Sequence, residues 1–386
     1  MRVAQSSEKG PTPFTTGAEI LENLMAAARA PLSEWPARYP GRRPMGYLCS
    51  YVPEEIMHAA GLTPVRLRGT AAPIRYADAH LQSFACALCR STLDQVLSRD
   101  LEFLAGTVFA HTCDAMQALA DLWRISTPDS HFVSTVMQPS NLGSPTARAY
   151  LVAELSRFRQ QLADLAGRPI GDDDLRASIV LYDETRRLVH ELQGMREQLS
   201  VPGFFTVLDA AQMMPRDLFN PLLAELLAAM KENAGQAELI RRNSVRLFLV
   251  GAVLDEPRLL DLIDETGALV VGDDLCSGSR HFHGQVGSSG DPIANLADYY
   301  LERPPCPTKF CPTSDSSRSL LEQVRQTRAG GVVFTLEKFC EPHAFDYALV
   351  QPALDRAGVP HLLLEMEQTP SLEGLRTRLQ AFVEML

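Results

Sequence analysis

Lysine is nearly missing from this chain. Lys9, Lys231, Lys309 and Lys338 are the whole complement among 36 basic residues, and the remaining 32 are arginine. The formal net charge is −11. This argues against a nucleic-acid surface, which needs clustered cations to displace condensed counterions, but leaves room for a local basic pocket. No run approaches the roughly 20 apolar residues that span a bilayer. Residues 1–16 are polar and lack the apolar stretch of a secretory signal, which predicts a cytoplasmic protein. No Gly-x-x-x-x-Gly-Lys-Ser/Thr loop is present to cradle a nucleotide phosphate. Cys86 and Cys89 form a close pair, but no second pair stands at zinc-ribbon distance, so a zinc ribbon is excluded. Internal repeats and low-complexity segments are also absent.

What is present is an ordinary globular composition, 46% hydrophobic and 22% charged. The 386 residues are too many for one core and predict two or three domains. Apolar residues at helical spacing predict a helix over 17–31, followed by a Pro- and Arg-rich loop over 35–44. Strands are expected at 46–52, 106–111 and 132–137, with helices at 53–60 and 114–124 between them. The stretch 146–234 carries long amphipathic helices, 146–166 and 172–198, and no clear strand. Strand patterns return at 245–254, 268–271, 331–335 and 361–364, and a helix over 371–386 ends the chain. Alternation of strand and helix implies parallel sheets covered on both faces. The expected fold is therefore α/β, with two Rossmann-like parallel-sheet units joined by a helical linking layer around a central cleft. The corresponding boundaries are 1–44, 45–145, 146–235 and 236–386. Residues 278–312, rich in Gly, Pro and Ser, read as a long functional loop.

Eight cysteines in a reducing compartment are not expected to form structural disulfides. Each is a small buried hydrophobe, a metal ligand or a redox group. Cys113 follows the strand 106–111 directly, and Cys340 lies just beyond the strand 331–335. Ligands of open α/β sheets bind outside the carboxyl ends of the strands, so two such cysteines, one per unit, can converge on a cleft. Cys86 precedes a helix that begins near Arg90 and Ser91, a setting that lowers a thiol pKa. Cys306 and Cys311 are flanked by prolines and read as loop residues. Cys49 and Cys276 read as packed or lining. Spacing alone does not establish a cluster.

Three spaced segments carry a family resemblance. The first runs Gly46-Tyr47-Leu48-Cys49-Ser50-Tyr51-Val52-Pro53-Glu54-Glu55. The second is Cys86-Ala87-Leu88-Cys89-Arg90-Ser91 with His111-Thr112-Cys113-Asp114. The third is Lys338-Phe339-Cys340-Glu341-Pro342-His343 with Phe345-Asp346-Tyr347. Gly272-Asp273-Asp274-Leu275-Cys276-Ser277-Gly278-Ser279-Arg280 joins them. In order and content these resemble the 2-hydroxyacyl-CoA dehydratase and benzoyl-CoA reductase family, from about residue 45 to the end. The resemblance implies a [4Fe–4S] cluster, or a related double-cubane arrangement, on Cys86, Cys113 and Cys340. Cys89 stands where a hydrophobic residue is commoner, and Cys86 is the favoured member of that pair. Three ligands leave one iron open, the mark of a catalytic site by analogy with zinc. The resemblance further implies an oxygen-sensitive hetero-oligomer with a homologous sister subunit and an acyl-CoA substrate. It also implies a separate ATP-hydrolysing iron–sulfur activator, supplied by an electron donor such as ferredoxin.

Chemistry on an acyl-CoA thioester also needs a placed acid or base. Glu55 matches the family's carboxylate near the thioester; its alternative is to favour a helix amino end through the dipole. His343 is a proton donor or a partner to a cluster sulfur, or else a polar cap. Arg280 pairs with CoA phosphates or serves the surface. The leading expectation is a subunit of an ATP-dependent, dearomatising benzoyl-CoA reductase. The alternatives are a 2-hydroxyacyl-CoA dehydratase subunit, an electron-relay sister subunit, and an α/β protein whose cysteines only pack. The Arg-rich composition favours the reductase, since many of the dehydratases come from AT-rich fermenting anaerobes.

Overall fold

The computed structural model describes residues 17–232, 244–254, 256–368 and 370–386. Residues 1–16, and the expected boundary at 235/236, lie outside these. The first sheet has strands β1 (Pro44–Tyr47), β2 (Thr63–Arg66), β3 (Gly106–Ala110) and β4 (Phe132–Val136), in the order β2-β1-β3-β4. The second has β5 (Arg246–Gly251), β6 (Leu269–Leu275), β7 (Gly331–Glu337) and β8 (His361–Met366), in the order β6-β5-β7-β8. All six pairings are parallel. The two sheets thus share one topology, and each reverses direction beside its first strand. The crevice outside the carboxyl ends at that switch point is where such sheets bind ligands.

Buried apolar residues explain the layers. In β3, Val108 and Ala110 face a core shared with α3 (Glu54–Ala59) and α6 (Ala147–Ala166), while Phe109 faces α4 (Ala87–Leu97) and α5 (Asp114–Ser126). In β5, Leu247 and Leu249 face α8 (Val201–Met213), α9 (Arg216–Glu232) and α10 (Pro257–Glu265). Phe248 and Val250 face the other way, onto α12 (Ser316–Thr327) and α13 (Glu341–Ala357). This period of two, with both faces apolar, is what a fully covered parallel strand requires. The amino-terminal helix α1 (Gly17–Arg29), beyond which lies the short α2 (Trp35–Arg38), packs on α8 and α9. The last helix, α14 (Leu372–Met385), packs on α10.

One helix belongs to both cores. α7 (Asp172–Gly194) has 23 residues. Its Leu175 and Ile179 lie in the first unit's core, and its Leu188, Val189 and Leu192 in the second's. At 1.5 Å per residue it is a strut of roughly 35 Å. Each of those buried side chains contributes about 1.5–3 kcal/mol, so the linking layer is held from both ends.

Several elements differ from expectation, among them β1, which covers Pro44–Tyr47 where a strand over 46–52 is expected, and α4, which begins at Ala87. The edge strand β2 is not apparent in the sequence because it has four residues and contains Pro64; proline is tolerated in strands at sheet edges, and β2 is at one. The segment 278–312 is not wholly loop, since it contains α11 (Pro292–Glu302). Asp291 caps it by accepting from the Ile293 and Ala294 amides, with Pro292 at the first helical position. α11 then crosses to the other unit, burying Ile293, Leu296, Ala297 and Tyr300 against the first sheet's helices. Among the described residues no helix is long and apolar enough to cross a membrane.

The switch point of the second sheet leaves no space for a side chain at Gly251. A Cβ there would meet Thr335 Oγ1, and the Thr335 carbonyl oxygen at 2.5 Å. Gly251→Ala is expected to cost about 1–3 kcal/mol by overpacking, read as a lower urea midpoint. Gly194→Ala, at a helical position with nothing within 4 Å, is expected to be neutral or stabilising by up to about 1 kcal/mol.

Candidate metal centre

The cysteines occupy equivalent places. Cys49 lies two residues beyond β1, Cys113 three beyond β3, Cys276 directly after β6, and Cys340 three beyond β7. Cys86, Cys113 and Cys340 are the N-cap residues of α4, α5 and α13. A helix amino end presents unpaired N–H groups and about half a positive charge, so all three sulfurs sit where a negative charge is favoured. The Met116 amide, in the first turn of α5, favours the thiolate of Cys113. The His343 amide does the same for Cys340 from the first turn of α13.

The thiols act on one another, although among the described residues Cys86, Cys113 and Cys340 do not form a group of donors within 4.8 Å. Cys89 is pushed up by its hydrogen bond with Cys86 and by burial, with further contributions from Cys113 and Cys340. Burial, and after it Cys86, Cys49 and Cys306, raises Cys113 to about 11. Cys340 is pushed well above the usual thiol range by burial, then by Cys86, with Cys113 and Cys276 adding to this. Seven cysteines therefore form one interacting group: 49, 86, 89, 113, 276, 306 and 340. Cys311 is half-exposed and pairs with Thr313.

Within this group Cys276, Cys306 and His343 offer Sγ, Sγ and a ring nitrogen that all lie within 4.8 Å of one another. The Cys306 thiol donates to Cys276, which lowers Cys276 to about 6 despite its burial and raises Cys306 to about 11. Arg280 reinforces the Cys276 thiolate, with Nη1 3.3 Å from its Sγ. Cys306 lies in the loop after α11, as expected, but it is buried and its thiol is engaged. α11 carries it beside β1, where its amide donates to Tyr51 Oη at 3.4 Å. Its partners could not be read from spacing, because they depend on the crossing of α11.

A cationic shell surrounds the sulfurs. Arg66 is only 1% exposed. Its Nη1 donates to Gln212 Oε1 at 2.6 Å and to the Cys276 carbonyl at 2.8 Å, while its Nε and Nη2 have no hydrogen-bond partner. Lys309 is buried, donates to the Gln138 carbonyl at 3.3 Å, and is held below its usual pKa by desolvation. Cys49, pushed up by burial, counts both Cys306 and Arg66 among its neighbours. Clustered soft donors beside buried, unsatisfied cationic donors suit a metal centre with anionic sulfur ligands. Several thiols crowded together resist joint ionisation until a metal replaces their protons. Arg66 lies on β2, and the signal that would have located it was hidden with that strand.

Of the other expected site residues, Arg280 reaches this group and Glu55 is paired with Arg186. Arg280 is buried, and its guanidinium is engaged by Asp274 and Cys276. It also lines a 900 Å³ cavity together with Arg186, Arg187, His190 and His283. Glu55 is fully buried rather than open to a cleft. One of its oxygens is bound by Arg186, and Oε2 has no hydrogen-bond partner. Its neighbour Glu54 is paired with Arg216 at 2.8 Å and with His281 at 2.9 Å.

Fold and donors define a class first: a two-sheet α/β protein that gathers soft metal donors at the shared carboxyl ends of its strands. The chain belongs to the family described as 2-hydroxyglutaryl-CoA dehydratase, D-component, whose model matches residues 49–386. It is 30% identical to a benzoyl-CoA reductase subunit of Thauera aromatica over 364 residues, 92% of this chain and 93% of that protein. It is 26% identical to the (R)-phenyllactyl-CoA dehydratase beta subunit of Clostridium sporogenes, over 90% of this chain and 92% of that one. The beta subunit of the (R)-2-hydroxyglutaryl-CoA dehydratase of Acidaminococcus fermentans is 23% identical over 95% of this chain and 98% of its own. The relatives are subunits of enzymes acting on acyl-CoA thioesters, either reductases or dehydratases.

Burial pushes His281 down to about 4. Its folded pKa lies below its unfolded value near 6.5, so its contribution to stability is complete above pH 6.5 and is lost as pH falls towards 4. Unfolding free energy is expected to fall in this window by on the order of 1 kcal/mol per pH unit, and His281→Gln to remove that part of the slope. Denaturation at stepped pH measures it.

Proposed function

We propose that this chain is an iron–sulfur subunit of an ATP-dependent benzoyl-CoA reductase, acting on an aromatic acyl-CoA thioester. What supports the reading is that Cys86, Cys113 and Cys340 each stand at a helix amino end and that the charges of Cys86 and Cys113 act on Cys340. A [4Fe–4S] cluster on these thiolates, when bound, supplies low-potential electrons one at a time. The chain's own residues do the rest. Arg66, Arg280 and Lys309 balance anionic sulfur in a space from which most water is excluded, which strengthens every charge interaction there. Glu55 is the candidate acid or base, with one oxygen bound by Arg186 and Oε2 without a hydrogen-bond partner. His343, with a ring nitrogen beside the Cys276 and Cys306 sulfurs, is the candidate proton donor or the partner to a cluster sulfur. Arg280 touches sulfur on one side and lines the 900 Å³ cavity on the other, where Arg187 offers positive charge and His190 a ring nitrogen to CoA phosphates.

A homologous sister subunit, a separate ATP-hydrolysing iron–sulfur activator and a donor such as ferredoxin complete the assembly, in the cytoplasm. A 2-hydroxyacyl-CoA dehydratase subunit is the second reading, favoured by the match over 90% of the chain to the (R)-phenyllactyl-CoA dehydratase beta subunit.

Anaerobic purification is expected to give a brown protein with iron and sulfide. Cys86→Ser, Cys113→Ser or Cys340→Ser is expected to lose most of both. With activator and sister subunit present, net two-electron reduction of benzoyl-CoA supports the reductase. Water loss from a 2-hydroxyacyl-CoA without net electron consumption replaces it with the dehydratase. An iron-free protein refutes both.

A further inference from the structure

The trio Cys276, Cys306 and His343 is not used by that reading as a ligand set, yet it has the makings of one. Its donors arrive on three separate elements: the end of β6, the segment after α11, and the first turn of α13. In a tetrahedral site with metal–sulfur bonds near 2.3 Å and metal–nitrogen bonds near 2.1 Å, donors stand roughly 3.6–3.8 Å apart. The observed span of at most 4.8 Å needs only a short closure, which side-chain torsions can supply. The backbone around the trio is fixed. The Cys276 amide donates to the Ala252 carbonyl at 2.7 Å, and the Cys306 carbonyl accepts from the Lys309 amide at 2.8 Å. The Ala344 amide donates to the Cys340 carbonyl at 3.0 Å.

Outer contacts are those a ligand set calls for. Arg280 donates to the Cys276 sulfur, and the Arg66 guanidinium is bound to the Cys276 carbonyl with two donors unspent. Such contacts orient metal-binding sulfur and favour its anionic form. Cys340 and His343 share one turn of α13, so that turn serves two donor groups, one through each residue.

We propose that Cys276, Cys306 and His343 form a second metal site in this chain, distinct from Cys86, Cys113 and Cys340. Two thiolates and one imidazole select a thiophilic divalent ion such as Fe²⁺ or Zn²⁺ over Mg²⁺ or Ca²⁺. A fourth position remains for water, for a further sulfur, or for Cys49, which lies in the same group of thiols. An ion here would fasten the α11 crossover to β6 and α13, joining the two sheet units through a covalently coordinated point.

The test removes the first set and leaves the second. The full chain carrying Cys86→Ser, Cys113→Ser and Cys340→Ser is titrated anaerobically with Co²⁺ alone. The expected result is one Co²⁺ per chain, with the thiolate-to-metal charge-transfer band and strong visible bands of a tetrahedral thiolate site. Adding Cys306→Ser or Cys276→Ser is expected to abolish those bands, and His343→Gln to weaken binding roughly 10-fold or more. Cys311→Ser is expected to change nothing. Circular dichroism checks that each variant is folded. Should one fail to fold, alkylation of the triple variant followed by mass spectrometry reads the same site without further mutation. Zn²⁺ then protects the Cys276 and Cys306 peptides and leaves that of Cys311 labelled. Absence of stoichiometric Co²⁺ binding, bands that survive loss of both Cys276 and Cys306, or equal labelling with and without Zn²⁺ overturns the proposal. Because the first three cysteines are absent throughout, these outcomes are independent of the iron–sulfur reading above.

Discussion

Buried arginine is the interaction on which the rest of the molecule depends. Arg303 donates through one nitrogen to the Ser50 carbonyl at 2.8 Å, just past β1, and through the other to the Arg280 carbonyl. Arg66 ties β2 to the segment after β6, Arg216 joins α9 to Glu54, and Arg186 joins α7 to Glu55. Each crosses between elements distant in sequence, and each is nearly sealed from water. A buried cation left without its partner costs several kcal/mol, so any slip between the sheets is penalised at several points together. The planar guanidinium, with five donors in a fixed fork, can hold two acceptors where an ammonium offers a less directional charge. The scarcity of lysine suits this architecture.

The thiol chamber follows from that fixed registry. Strand ends from both sheets point to one place, and helix amino ends, arginines and Lys309 make it positive. Buried thiols there are poised for exchange of their protons for a metal. The same packing that excludes water makes isolated ionisation costly, which is why Cys113 and Cys340 hold their protons so strongly, while Cys306 holds its own chiefly through its bond to Cys276.

Much of this was legible from sequence where the signal is local. Strand-to-helix turns carried Cys113 and Cys340, and strand and helix alternation carried the two sheets. Asp291-Pro292 with apolar residues at 293, 296, 297 and 300 was a readable helix start, obscured by the Gly and Pro around it. The association of Cys276 with Cys306 and His343 was not legible. It depends on α11 leaving the second unit to pack on the first, a choice made by the apolar face of Ile293, Leu296 and Tyr300 finding the first sheet's helices. Glu55 illustrates the same limit. Its place on the first helical turn was clear, but its burial against Arg186 is set by α7, 131 residues away in sequence.

That α7 runs unbroken through both cores bears on motion. A helix anchored in each half resists bending, so the halves cannot swing apart like a clam without losing apolar contacts at one end. At the edge of the chamber, next to Cys340, the turn at Phe339 has its backbone at φ +69° and its ring half exposed. The molecule is built as a braced frame, in which one continuous helix fixes the distance between the two sheets that supply the thiols.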